Sequence, residues 1–252
     1  MPKRTAIFLC ALVLASCVPP EENNDRIKRY DPEDSIMGEI QARAVLRVAL
    51  PEDHPPLAIL DEGAPKGFLV ELSELIAASL GVEAEYTSGP SEELLDMVHP
   101  TSNDPEAATE VDLAWPIVPI TEVLVTSRTM SDPYWVGHTR HLIDTESSTS
   151  FQRLFPFPES GHDLELLHFA YATPGLLIDG PQESTEGYGA AVRTGAVTFG
   201  ALVSQVINEA DAEGDWSAFY DEWLARYFAD PAPGDVPIMT VEEAAALYPT
   251  AI

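Results

Sequence analysis

Among 252 residues, 42 are Asp or Glu and only 13 are Lys or Arg, a formal net charge of −29. That balance excludes nucleic acid or an anionic membrane surface as the partner, because both demand positive charge. Lysine occurs only at Lys3, Lys28 and Lys66, and an acid-rich, lysine-poor chain suits saline surroundings, where charge repulsion is screened.

Lys3 and Arg4 precede an apolar run from Thr5 to Ala15. The run is too short for a stable bilayer span but fits the core of a signal peptide. It ends Leu14-Ala15-Ser16-Cys17, which resembles a lipobox: small residues before a cysteine whose thiol takes a diacylglycerol. Residues 1–16 are expected to be a lipoprotein signal peptide and Cys17 the lipidated N-terminus; a plain secretory signal cleaved nearby is the rival reading. The other cysteine is Cys10, so the mature chain would have no disulfide and no cysteine metal site. Residues 17–35 are polar with few core formers and read as a disordered tether.

Val45 to Leu50 reads as a buried strand stopped by Pro51. His54-Pro55-Pro56 is a rigid turn, and Leu57 to Leu60 a short second strand. Leu69 to Leu80 is helical, with Leu72, Leu75, Ile76 and Leu80 on one face and Gly81 as its stop. Val82 to Tyr86 is a strand, Ser91 to Val98 a helix, residues 100–110 a polar loop, and Val111 to Ala114 the start of a buried strand. Strands alternating with helices indicate a parallel sheet in an α/β domain. Residues 144–186 give no clear pattern beyond the apolar run Leu164 to Tyr171. Thr198 to Ala212 is helical again. A helix from Asp215 to Phe228 carries Trp216, Phe219, Tyr220, Trp223, Tyr227 and Phe228, a stripe that reads as core packing. Thr240 and Glu243 resemble a capping box for a last short helix.

These pieces, in this order, resemble the amino-acid-type extracellular solute-binding proteins, the receptors of ABC importers. The resemblance rests on Leu46-Arg47-Val48-Ala49, Pro55-Pro56-Leu57, Gly67-Phe68-Leu69-Val70-Glu71-Leu72 and Leu80-Gly81-Val82. It continues in Asp112, Ile120-Thr121, Ser131-Asp132-Pro133-Tyr134, Gly187 to Arg193, and Asp215-Trp216 through Trp223. It implies an α/β, type 2 periplasmic-binding-protein-like fold with one full lobe, residues 36–135 and 187–252. Residues 136–186 would make a reduced second lobe, because each crossover unit takes about 30 residues and the stretch is too short for five strands with helices.

The resemblance also implies where a ligand would sit. His54 stands where an aromatic usually stacks, and Leu57 replaces the usual phenylalanine. After the Asp112 strand come Trp115, then Pro116, Ile117 and Pro119 at the usual polar contacts. Leu124 falls at the arginine that holds the ligand's α-carboxylate in a bidentate grip. Prolines offer no N–H, and none of these side chains binds a carboxylate. Thr121 alone keeps the family's type. Arg128, one helical turn beyond Leu124, is either a substitute clamp or a surface arginine. No aspartate for a ligand amino group can be placed; Asp144, Asp163 and Asp179 read as solvated loop residues.

The expected function is therefore a membrane-anchored receptor for a small polar or amphipathic solute, working with ABC permease subunits, in which free amino acids are disfavoured. The alternative is an envelope lipoprotein that kept the scaffold and acts by protein contact. An enzyme is the third reading, since a few relatives of this family are dehydratases. No nucleophile elbow, phosphate loop or Walker motif is present. His138 and His141 would share a metal on a helix, but a strand points them to opposite faces. No catalytic residue, cofactor or metal is expected.

Overall fold

The computed structural model describes residues 27–60, 64–99, 111–145, 160–180, 184–229 and 239–247. Cys17, the expected signal peptide and the loop 100–110 lie outside them.

Helix α1 (Ile36–Arg43) begins where Ser35 Oγ accepts a hydrogen bond from Met37 N. Strand β1 (Val45–Pro51) follows, then α2 (Phe68–Leu80). Gly81 ends α2 at φ 68°, the left-handed conformation that suits glycine. Next come β2 (Glu83–Gly89), α3 (Leu94–Met97), β3 (Leu113–Ala114), α4 (Glu122–Ser127) and β4 (Thr129–Gly137). The chain then builds β5 (Thr139–Asp144), β6 (Ser160–His162), α5 (Asp163–Ala172) and β7 (Leu176–Asp179) before returning through β8 (Glu186–Val192). Helices α6 (Val197–Glu213), α7 (Asp215–Trp223) and α8 (Val241–Leu247) complete the described elements.

Two sheets result. The larger has the order β2-β1-β3-β8-β4, with β1 parallel to β2 and β3, and β8 antiparallel to β3 and β4. Its β1 is almost wholly buried because packed helices cover both faces. Alternation divides its side chains: Leu46, Val48 and Leu50 join the main core, while Ala49 faces a smaller one with Leu94, Ile120, Met130 and Ala244. Among the described residues the second sheet is three-stranded and antiparallel, β6-β5-β7, with α5 packed on it. This is one full α/β lobe with a reduced second lobe.

Several expectations are corrected. Leu57 to Leu60 is not a strand; its ladder contact is one bridge, Ile59 to Lys66. Pro55 and Pro56 have no N–H to give, and Leu57 O accepts from Leu69 N at the start of α2. Ser91 to Val98 splits into a 3-10 turn (Ser91–Glu93) and the single turn of α3. The aromatic helix stops at Trp223; a 3-10 turn (Ala225–Tyr227) follows, and Phe228 is extended. Its rings are core, as expected: Trp216 stacks on Tyr220 at 5.6 Å, and Trp216 Nε1 donates to Tyr134 O at 3.0 Å. The apolar run at Leu164 is α5.

Residues 27–35 belong to the fold rather than to the expected tether of 17–35. Gln41 Nε2 donates to Lys28 O and Leu80 O, Tyr30 N donates to Gln41 Oε1, and Ile27 lies against Gly81. The capping box is complete: Glu243 N donates to Thr240 Oγ1 at 3.2 Å and Thr240 N to Glu243 Oε2 at 2.8 Å.

Candidate functional site

In a sheet of this kind ligands sit beyond the carboxyl ends of the parallel strands. Here those are the ends of β1 and β3, with the start of α4 beside them.

Past β1, His54 Nδ1 lies 2.8 Å from Asp53 Oδ1, and the histidine side chain is only 16% exposed. Burial works against ionisation of Asp53, but His54 and nearby backbone amides, including that of Ser91, outweigh it and hold this carboxyl below its usual range. Leu57 is wholly buried, so it supports the turn from below and offers no ligand surface.

Past β3 the expected contacts turn inward. Trp115 is 0% exposed. Its indole N–H donates to Ser73 Oγ on α2 at 2.8 Å, and its ring meets Tyr134 edge-on at 5.1 Å. Pro116 and Ile117 are buried as well, and Ile117 N donates to Ser91 Oγ at 2.6 Å. Of the expected contacts, Leu57, Trp115, Pro116 and Ile117 are thus core residues, because this apolar sequence packs against α2 instead of edging a cleft. Pro119, Thr121 and Leu124 are partly exposed. Thr121 caps α4, its Oγ1 accepting from Leu124 N at 3.2 Å; Leu124 leans on the smaller core.

Arg128 stands apart from Leu124's face, and its Nε is buried with no hydrogen-bond partner among the described residues. The helix ends at Ser127, and Arg128 is extended at φ −134° and ψ 156°, so one-turn spacing from Leu124 does not place it on Leu124's face. Its Nη2 reaches Asp96 on α3 at 3.2 Å and its Nη1 reaches Ser127 O. Arg43 and Arg47 are also engaged. Both bond to Asp112, which is 1% exposed and accepts from Arg43 Nη2 at 2.5 Å and from Arg47 N, Nε and Nη2 at 2.9–3.3 Å.

Sequence reasoning missed His168. It stands on α5 of the second lobe, where burial lowers its proton affinity; a like charge on His54 lowers it further and Asp53 opposes. No spacing in the chain relates residues 54 and 168, so nothing in the sequence pairs them.

Asp163 also departs from expectation. It is 2% exposed rather than solvated. Its carboxylate accepts from Trp135 Nε1 and His138 N, each at 3.2 Å, and from Leu164 N at 2.8 Å. Burial pushes its pKa up to about 7, although these donors and Arg140 pull the other way. Nearby Glu186, 1% exposed, accepts from Ser184 Oγ at 2.6 Å and lies against His162 Nδ1. His138 Nδ1 lies 2.5 Å from Ser184 O, whereas His141 lies against Gly180. Among the described residues no three His, Cys, Asp or Glu side chains gather to hold a metal, and no helix is long and apolar enough to cross a membrane.

An α/β lobe whose strands feed a second sheet by two crossovers defines the class of two-lobed periplasmic-type binding proteins. The pattern of the bacterial extracellular solute-binding proteins, family 3, matches residues 46–226, and the chain belongs to that family. No curated protein matches it significantly in sequence. Among solved structures it is similar to a mutant of ArgBP from T. maritima, at 21% identity and TM-score 0.55 over 74% of this chain and 98% of that one. It is also similar to an amino acid ABC transporter substrate-binding protein from Streptococcus pneumoniae bound to L-arginine, at 18% identity and TM-score 0.57 over 75% and 97%. An ancestral cationic amino acid solute binding protein aligns at 17% identity and TM-score 0.58 over 75% and 99%. At these identities the likeness establishes the fold.

Proposed function

We propose that this protein is the solute-binding component of an ABC importer, held outside the cytoplasm by a lipid on Cys17, and that its cargo is a small polar or amphipathic solute rather than a free α-amino acid. The lobe boundaries expected from the sequence, 36–135 with 187–252 and 136–186, go with this reading. Family membership supports a solute receptor. The observation that carries the choice of cargo is the engagement of Arg128 by Asp96, with Leu124 at the position a carboxylate would need a cation. Asp53 with His54 in the first lobe, and His168 in the second, whose proton affinity both influence, support a site of different chemistry. These groups can exchange hydrogen bonds with a hydroxyl, amide or amine, but they offer no fixed positive fork. A thermal-shift screen of solutes against the protein tests the proposal: stabilisation by a non-amino-acid solute supports it, and silence across solute classes contradicts it.

One observation favours the alternative of an envelope lipoprotein acting by protein contact. The main core does not stop at the first lobe; it runs on into Leu142, Leu164, Leu167 and Ile178 of the second.

A further inference from the structure

We infer that the solute taken here is a small organic cation, an amine or polyamine without a carboxylate, and that Asp53 is its counter-ion. The inference rests on the solute-receptor reading above and names the class of solute.

Strand β1 lies between β2 and β3, parallel to both, and ends at Pro51. Asp53 and His54 follow at its carboxyl end, where solutes sit in sheets of this kind. The Asp53 side chain is 51% exposed and that of His54 16%: an open carboxylate stands beside a mostly covered imidazole. Their 2.8 Å contact uses His54 Nδ1 and Asp53 Oδ1. It leaves Nε2 of the ring for another partner, and a carboxylate can accept more than this one hydrogen bond.

The charge of Asp53 decides the solute. His54 and backbone amides keep this carboxyl ionised, and among the described residues no lysine or arginine acts on it. Arginines of the first lobe are committed to other carboxylates: Arg43 and Arg47 to Asp112, Arg128 to Asp96, and Arg193 to Glu39. A solute that covers Asp53 takes it out of water, and a covered carboxylate without a cation is costly. The favoured solute therefore brings the positive charge itself. An anion adds like-charge repulsion, and an uncharged polyol leaves the carboxylate without a counter-ion. His168 of α5 suits the same solute. It is near enough for His54 and Asp53 to act on its proton affinity, and burial keeps it neutral, so it can accept from an N–H without repelling the cation. An ammonium group, all donors and no acceptor, complements a carboxylate with neutral imidazoles.

Calorimetric titration of the full chain tests this. The probes are methylamine, putrescine, spermidine and choline as cations, butanediol and acetamide as uncharged solutes, and succinate as the anion. A net charge of −29 draws any cation to the surface, so the titrations are run at about 1 M salt, where the screening length falls to about 3 Å. At least one amine should bind saturably. Asp53→Asn should weaken it about tenfold or more, while Glu209→Gln, at an exposed acid on α6, should leave it unchanged. An uncharged solute that binds while every amine is silent would overturn the inference and leave the solute-receptor reading standing. Amine binding that Asp53→Asn leaves untouched would overturn it as well, as attraction to the acidic surface alone. Silence from every solute would end both readings.

Discussion

The carboxylate of Asp163, the first residue of α5, accepts a hydrogen bond from the indole nitrogen of Trp135 at 3.2 Å, tying the second lobe to the longest strand of the first. Burial raises the pKa of this carboxyl to about 7, so the folded state binds a proton that the unfolded chain has released. Stability from this group is therefore fully present in acid and is lost as pH rises from about 4 through 7. Tyr134 and Tyr188 lie near it, and Arg140 is the cation that favours its ionised form. Urea unfolding of wild type and Asp163→Asn across this range should show the gap between them changing by up to about 1.4 kcal/mol per pH unit. A constant gap would mean that Asp163 does not titrate there.

Asp112 neutralises two arginines from a buried position. Asp112→Ala leaves Arg43 and Arg47 facing each other. Both are about a third exposed, which tempers the usual cost of breaking a buried pair, and a loss of about 2–3 kcal/mol is expected. Denaturant melts with unchanged m-value check this.

Trp115 is a core residue by position. Trp115→Ala should cost about 3–5 kcal/mol, as large aromatic deletions in cores do. A variant of near-native stability that had lost solute affinity would instead return Trp115 to the cleft.

Arg128 pairs with a mostly exposed Asp96. Arg128→Ala should change stability by no more than about 1 kcal/mol and leave the affinity for any anionic solute unaltered in calorimetric titration. A clear loss of affinity would make Arg128 a ligand contact.

Much of the scaffold was readable before any coordinates. Runs such as Val45–Leu50 and the face Leu72, Leu75, Ile76, Leu80 carry their periodicity in the chain, and Thr240 with Glu243 announces its own cap. Leu57–Leu60 misled because an apolar stretch after two prolines looks like a strand, whereas the Leu57 carbonyl serves α2 and only Ile59 bridges, to Lys66. The site was less legible. Trp115, Pro116 and Ile117 align with cleft positions, but burial is a property of what packs on them, and Ser73 and Tyr134 lie far away in sequence. The two readings of Arg128 stayed open for a local reason: whether it shares Leu124's face depends on where the helix ends, and it ends at Ser127. Asp163 and His168 sit in the stretch with the weakest pattern, and Trp135, which bonds Asp163, and His54, which acts on His168, come from the other lobe.

The central claim is that the pocket of this solute-binding protein has given up α-carboxylate recognition. A thermal-shift panel tests it most directly, comparing free amino acids with polar and amphipathic solutes that lack an α-carboxylate. At a hundred times its dissociation constant a true ligand stabilises by about 2.7 kcal/mol. The account predicts such a shift for at least one solute of the second group and none for free amino acids; a shift with a free amino acid, lost when its carboxylate is amidated, would contradict it.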